Sequence, residues 1–292
     1  MSVRKWIYKN AKEIKGKTVA ITGSTGGLGG EICKILASLG ADLILVDRNF
    51  TRSQARKEEL LKLYPDIQIS LITADLEDME SVKTACSLLQ NTPLDILILN
   101  AGAYSIPRKV CDTGYDNVFQ INFISQYYIA RKILPVLKAR GGRVIAVGSI
   151  AHNYSKTDEN DIDFHTRNRS NLVYGNSKRF LMFSLYSLCE EAGVPLSVVH
   201  PGITFTNITA HYPPLIFAVI KHPMKVIFMR PRKACLSVIK GIFDSCGEME
   251  WIGPRLFDIW GYPVKRRLKT CKAGEYDFIL STTEEIYKQI DD

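Results

Sequence analysis

The chain predicts an α/β fold in which one parallel sheet carries helices on both faces, and three observations predict it. Short runs rich in Val and Ile alternate with amphipathic stretches from residue 17 onward. A glycine-rich turn follows the first run, and a tyrosine and a lysine with helical spacing lie far downstream. Alternation of this kind builds βαβ units, whose strands are buried on both faces and read as near-continuous apolar runs. The turn and the late helix belong to one fold if they act together, so the 292 residues are read as a single domain.

The expected strands are 17–21, 42–46, 67–72, 95–99, 143–147 and 196–199, each short and bounded by Gly, Asp or Pro. Helices are expected over 28–39, 51–63, 79–89, 115–137 and 174–191. Two stretches depart from this rhythm. The polar residues 151–173 read as a loop insertion. Residues 203–230 are apolar, contain Pro213, Pro214 and Pro223, and read as a cover over a substrate site. A subunit contact or a shallow membrane-surface helix are the competing readings of that cover. Residues 255–292 form a C-terminal extension, in which Lys265, Arg266, Arg267 and Lys269 read as a solvated charged face. Trp251 and Trp260 read as core or rim aromatics.

Composition is that of an ordinary soluble globular chain, with 46% apolar and 23% charged residues. The net charge of +8 is dispersed. Its densest cluster (Arg4, Lys5, Lys9, Lys12, Lys15 and Lys17 against Glu13) reads as a solvated, partly helical lead-in, with peripheral contact to an anionic membrane as the weaker reading. No basic module interleaved with aromatics points to nucleic acid. The seven cysteines contain no C-x-x-C pair and read as reduced thiols. With no apolar signal-peptide core at the start, the expected location is the cytoplasm. The stretch 215–229 is interrupted by Lys221, His222, Pro223 and Lys225 and is too short to span a bilayer. His152, His165, His200, His211 and His222 lack metal-ligand spacing, and no carboxylate or Cys cluster is expected around them, so no metal is expected. His152 and His211 stand where they could border a cleft, but a hydrogen-bonding or surface role is the preferred reading of each.

The chemistry is concentrated in two places. Thr22-Gly23-Ser24-Thr25-Gly26-Gly27-Leu28-Gly29 follows a strand and opens a helix, which makes it a cradle for a dinucleotide pyrophosphate. Asp47, at the end of the second strand, can accept hydrogen bonds from ribose hydroxyls and would repel a 2′-phosphate, whereas the adjacent Arg48 could pair with one. NAD(H) is therefore favoured, with NADP(H) left open by Arg48. The second place is Tyr174-Gly175-Asn176-Ser177-Lys178. Residues four apart share a helix face, so the ammonium is expected to favour ionisation of a phenol that ordinarily titrates near pH ~10. Taken alone, that pair is far more readily a tyrosine and a surface lysine on an amphipathic helix. Asp47 and Asp75 could each simply cap a turn, Asn122 could bond its own backbone, and Thr206 could cap a helix.

In combination, these motifs resemble the short-chain dehydrogenase/reductase family in its compact form, over roughly residues 15–255. Thr22–Gly29 resembles the family's T-G-x-x-x-G-x-G turn, and Asn100-Ala101-Gly102 its N-A-G after the fourth strand. Pro201-Gly202-Ile203-Thr204-Phe205-Thr206 resembles the P-G-x-x-x-T stretch beside the nicotinamide. The resemblance implies a doubly wound Rossmann sheet and an oxidoreductase that interconverts an alcohol and its carbonyl. It implies that Asn122, Ser149, Tyr174 and Lys178 are the catalytic residues, and that Asp75 and Leu76 lie beside the adenine. Tyr174 would exchange a proton with the substrate oxygen, Ser149 would hydrogen-bond that oxygen, and Lys178 would bind the ribose. Asn122 would hold a water linking Lys178 to solvent.

The stretch 113–135 and the 25-residue interval from Ser149 to Tyr174 resemble retinol-dehydrogenase-like and hydroxysteroid-dehydrogenase-like members, which implies a steroid, retinoid or other lipid-like substrate. Leu99, Gly148 and Gly30 depart from the residues frequent at their positions without removing a reacting group. A broad carbonyl reductase for small ketones, or a protein that binds NAD(H) without chemistry, are the alternatives. The family also implies homo-oligomers.

Overall fold

The computed structural model describes residues 1–203, 229–247, 249–268 and 271–291. One sheet of eight strands runs in the order β3-β2-β1-β4-β5-β6-β7-β8. These are β1 Thr18–Thr22, β2 Asp42–Asp47, β3 Ile69–Thr73, β4 Ile96–Leu99, β5 Arg143–Val147, β6 Leu196–Val199, β7 Glu250–Leu256 and β8 Trp260–Arg267. The first seven are parallel, and β8 returns antiparallel along the edge. The six strands expected from periodicity are all present.

Side chains alternate across the sheet and feed two cores. In β2, Ile44 and Val46 face one core, while Leu43 and Leu45 face the other. The first core packs under the helices α4 Met79–Gln90, α6 Ser125–Ala139, α7 Ser170–Ala192 and α10 Ala273–Asp291. The second packs under α1 Val3–Asn10, α2 Gly27–Ser38, α3 Phe50–Leu63 and α9 Leu236–Phe243. Two short pieces, α5 Asn117–Phe119 and α8 Pro231–Ala234, complete the helices among the described residues.

Several expectations are refined or corrected. The C-terminal extension holds β8 and α10; in the charge run Lys265 and Arg267 are exposed as expected, Arg266 pairs with Asp258 at 3.1 Å, and Lys269 lies outside the described residues. The lead-in is α1, whose Trp6 is buried and stacks on Tyr262 of β8 at 6.4 Å. The supposed loop 151–173 opens with a 3₁₀ turn, Ile150–Tyr154, and closes inside α7, so Tyr174 sits one turn into its helix rather than at its start. The expected helix 115–137 is divided by a π-helical turn, Gln120–Ile124. Most of the expected cover, 204–228, with Thr204, Thr206, His211 and His222, lies outside the described residues.

α10 lies across α6 and α7. Arg131 pairs with Glu284, Lys132 with Asp291 at 2.7 Å, and the Arg131 guanidinium sits 3.8 Å over the Tyr287 ring. No helix among the described residues is long and apolar enough to cross a membrane.

Candidate active site

The strand order reverses between β1 and β4, and in open α/β sheets ligands bind outside the carboxyl ends of strands at such a point. The turn after β1 meets the segment after β4 there. Gly23 takes φ +72°, and a Cβ at Gly29 would overlap the Gly23 carbonyl oxygen, so the first turn of α2 is a bare backbone surface. α2 opens at Gly27 with no side-chain cap, leaving its first amide N–H groups for an anion. Asn100 clamps the turn, its Nδ2 donating to Thr22 O at 2.9 Å and to Gly23 O at 3.1 Å, while its buried Oδ1 has no protein partner. Thr22 is part of the scaffold, its Oγ1 accepting from Asn100 N and Ala101 N, both at 3.0 Å. A side-chain-free cradle, uncapped amides and an unpartnered acceptor beside them fit a dinucleotide.

Asp47 reaches this turn, but its carboxylate faces inward. It accepts from the Ser24 hydroxyl, from Thr25 N and Thr25 Oγ1 (both 3.1 Å), and from Ser53 Oγ at 3.0 Å. Asp47 is thus a brace of the turn as well as a candidate ribose acceptor, a combination that spacing alone did not reveal. Arg48 beside it is exposed. Asp75 accepts from Glu77 N at 3.0 Å and so caps its own turn. Leu76 is buried, and its carbonyl accepts from Ser125 Oγ at 2.7 Å.

The reacting side chains predicted from sequence converge at the ends of β4 and β5. Ser149 follows β5 and stands near enough to Tyr174 on α7 for its side chain to pull the phenol's pKa down. One turn further along α7, Lys178 is fully buried and donates to Val147 O at 2.9 Å, with its Nζ 5.9 Å from the Tyr174 ring centre. Asn122 lies in the π-helical turn, a feature that often marks functional positions. Its Nδ2 donates to Ala103 O at 2.8 Å and to Ser177 Oγ at 3.1 Å, and its Oδ1 accepts from Ala103 N at 2.8 Å. Gly102 separates Asn122 from Lys178; a Cβ there would come within 2.8 Å of Asn122 Oδ1 and 3.4 Å of Lys178 Nζ. Tyr104 meets the Tyr174 ring edge-on at 5.3 Å. Gly202, at φ +80°, packs against the β7–β8 turn through Ile259 O, and Pro201 is half-buried beside it.

The electrostatics correct one expectation. Burial pushes the Tyr174 phenol up to about 12; the Ser149 side chain pulls it down less than that, and nearby Tyr104 pushes it up further. Burial alone pulls the Lys178 ammonium down to about 8. Without a ligand, desolvation therefore outweighs the lysine's expected effect on the phenol, and at neutral pH Tyr174 holds its proton.

Of the two readings of His152, the hydrogen-bonding one holds: it is buried behind Ser149, its Nδ1 lies 2.6 Å from Ser149 O, and its ring meets Trp251 edge-on at 5.4 Å. His200 stacks on Trp251 at 5.3 Å. His165 does have carboxylates around it, Asp161 at 3.2 Å and Asp163 at 3.0 Å, close enough together to share an ion. Those carboxylates also accept from Arg167 Nε, Thr166 Oγ1 and Asp116 N, so the group is a braced loop. Sequence reasoning missed Tyr104 and Arg179. Neither carries a motif signal, because each is defined by a contact distant in the chain.

A phosphate cradle at the switch point and a Ser–Tyr–Lys group beside it define a nicotinamide-dinucleotide oxidoreductase of the Rossmann type. The pattern of the short chain dehydrogenase family matches residues 17–214, and the chain belongs to that family. It is accordingly an NAD(P)-dependent oxidoreductase acting on alcohols and carbonyls. Among curated proteins it is 31% identical over 218 residues to short-chain dehydrogenase TIC 32 A, chloroplastic, of Brassica napus (68% of this chain, 67% of that one). It is 29% identical over 273 residues to retinol dehydrogenase 14 of Mus musculus (83% of this chain, 81% of that one). A crystal structure of an uncharacterized protein from Mycobacterium paratuberculosis superposes with a TM-score of 0.75 at 24% identity, covering 96% of each chain.

Proposed function

We propose that Ser149, Tyr174, Lys178 and Asn122 interconvert an alcohol and its carbonyl on an apolar, lipid-like substrate, with Tyr174 as the acid/base and NAD(H) as the favoured dinucleotide. The convergence of Ser149, after β5, with Tyr174 and, one helical turn on, the buried Lys178 carries this reading. Thr22–Gly29, Asn100-Ala101-Gly102 and Pro201-Gly202 are the proposed dinucleotide contacts. When bound, the nicotinamide supplies or accepts the hydride.

The remaining chemistry falls to side chains. Ser149 hydrogen-bonds the substrate oxygen and stabilises the charge developing on it. Tyr174, protonated at neutral pH, donates its proton to that oxygen during reduction and takes one back during oxidation. The 2.9 Å bond to Val147 O holds the Lys178 ammonium 5.9 Å from the Tyr174 ring centre, where a positive charge favours the phenolate as it forms. Asn122 faces Lys178 across Gly102 and bonds Ser177, a placement that suits a proton relay.

Two observations support an apolar substrate: the name of the retinol dehydrogenase relative and the aromatic Tyr104 edge against Tyr174. Turnover across ketones of rising chain length tests it. The expected result is kcat/KM rising with apolar area, by roughly threefold to fourfold per added methylene, the factor equivalent to ~0.8 kcal/mol. Indifference to chain length would favour a general reductase of small ketones instead.

A further inference from the structure

Arg179 follows Lys178 on α7 and is among the most deeply buried side chains of the molecule, at 2% exposure. Its guanidinium forms a two-pronged pair with Glu275 of α10, Nε to Oε1 at 2.7 Å and Nη2 to Oε2 at 2.6 Å. The remaining prong, Nη1, donates to His152 O at 3.2 Å. His152 in turn contacts Ser149 twice, through its amide at 3.2 Å and its Nδ1 at 2.6 Å, both to Ser149 O. Glu275 Oε1 also accepts from Thr157 N at 3.0 Å and Thr157 Oγ1 at 3.2 Å. The ion pair therefore grips the segment after Ser149 at two points, residues 152 and 157. The same segment lies against α7 at Gly175, where a Cβ would overlap Ala151 O and Ser155 Oγ.

We propose that Arg179 and Glu275 are positioning residues: they lock the turn after Ser149 onto the helix bearing Tyr174 and Lys178, which makes α10 a working part of a site to which it contributes no reacting group. Three features carry this inference. A buried ion pair is a poor source of stability, since apolar replacements of similar volume are often neutral or better, so its use here is geometric. A guanidinium fork fixes direction as well as distance, and this one joins three separate segments. The segments joined are those that set the Ser149-to-Tyr174 distance, and small displacements of reacting groups carry large rate penalties. α10 also lies beyond the residues matched by the family pattern, which end at 214. The inference rests on the reading that Ser149 and Tyr174 act on substrate.

The test uses the full chain with Arg179→Lys, which keeps the charge and loses the fork, and Glu275→Gln, which keeps the shape and loses the charge. Two readouts are taken: steady-state kinetics on the best carbonyl substrate of the wild type, and hydrogen exchange of backbone amides without substrate. Both variants are expected to lose roughly tenfold to a hundredfold in kcat, with KM and dinucleotide Kd within about twofold. Amides 151–157 should exchange at least about tenfold faster, while those of β5 stay as in wild type. Unchanged kcat in both variants overturns the inference, and so does a loss of kcat without faster exchange at 151–157. A wild type that turns over no alcohol or carbonyl counts against the Tyr174 reading, and exchange alone then decides whether the clasp holds the turn.

Discussion

At the residue scale the site depends on what burial does to two charges. The Tyr174 phenol sits near 12 and the Lys178 ammonium near 8, both moved by desolvation toward their neutral forms. A neutral phenol is ready to donate, which suits carbonyl reduction at neutral pH, whereas alcohol oxidation needs the phenolate and its supporting cation. Asp47 is the other decisive residue, because it braces the glycine turn and is the acceptor proposed for the ribose hydroxyls. In Asp47→Ala, the ratio of NAD to NADP affinity measured by titration calorimetry should fall roughly tenfold. The protein should also lose about 1–3 kcal/mol of stability as the Ser24 and Ser53 hydroxyls lose their acceptor. An unchanged affinity ratio would remove the reason for favouring NAD.

At the element scale, what could be read from sequence was local. The glycine turn, the N-A-G segment and the i, i+4 spacing of Tyr174 and Lys178 are each fixed within a few residues, and all fall where the fold needs them. The six strands were likewise visible as short β-branched runs. β7 and β8 were not, because Glu250–Leu256 contains Gly253 and Pro254, and Trp260–Arg267 carries Pro263 and three cations. β8, at the edge, tolerates its proline and cations because one side of its backbone has no ladder to complete, and in β7 the pairing with β6 reaches only Ile252, so Gly253 and Pro254 face a ladder on the β8 side alone. The π-helical turn at Asn122 and the clasp between α7 and α10 were equally hidden. A π turn has no residue signature, and Arg179 and Glu275 are 96 residues apart in sequence. The kinetic loss expected of Arg179→Lys and Glu275→Gln follows from the same long separation: two helices must keep their register for one turn to hold.

For the whole molecule, the His152–Trp251–His200 stack ties the end of β6 and the start of β7 to the turn after Ser149. Burial pulls His152 down to about 4 and His200 down to about 3. Both therefore stay neutral in the folded protein at pH values where the unfolded chain protonates them. Their contribution is complete above pH ~6.5, and it fades as pH falls from there toward the folded values, by up to ~1.4 kcal/mol per pH unit for each histidine. Urea unfolding between pH 7 and pH 4.5 should show that loss. His200→Phe keeps a ring against Trp251 and removes one titration, so its slope should be clearly shallower. Equal slopes in the two proteins would contradict the assignment.

The measurement that bears most directly on the central claim is NAD(P)H-dependent reduction of an apolar ketone or aldehyde by wild type and by Tyr174→Phe, with dinucleotide affinity measured on the same samples. The phenyl ring fills the same space and lacks only the hydroxyl, so dinucleotide Kd should stay within about twofold while turnover falls by at least ~10²-fold. A Tyr174→Phe protein that bound the dinucleotide normally and kept most of its turnover would contradict the account.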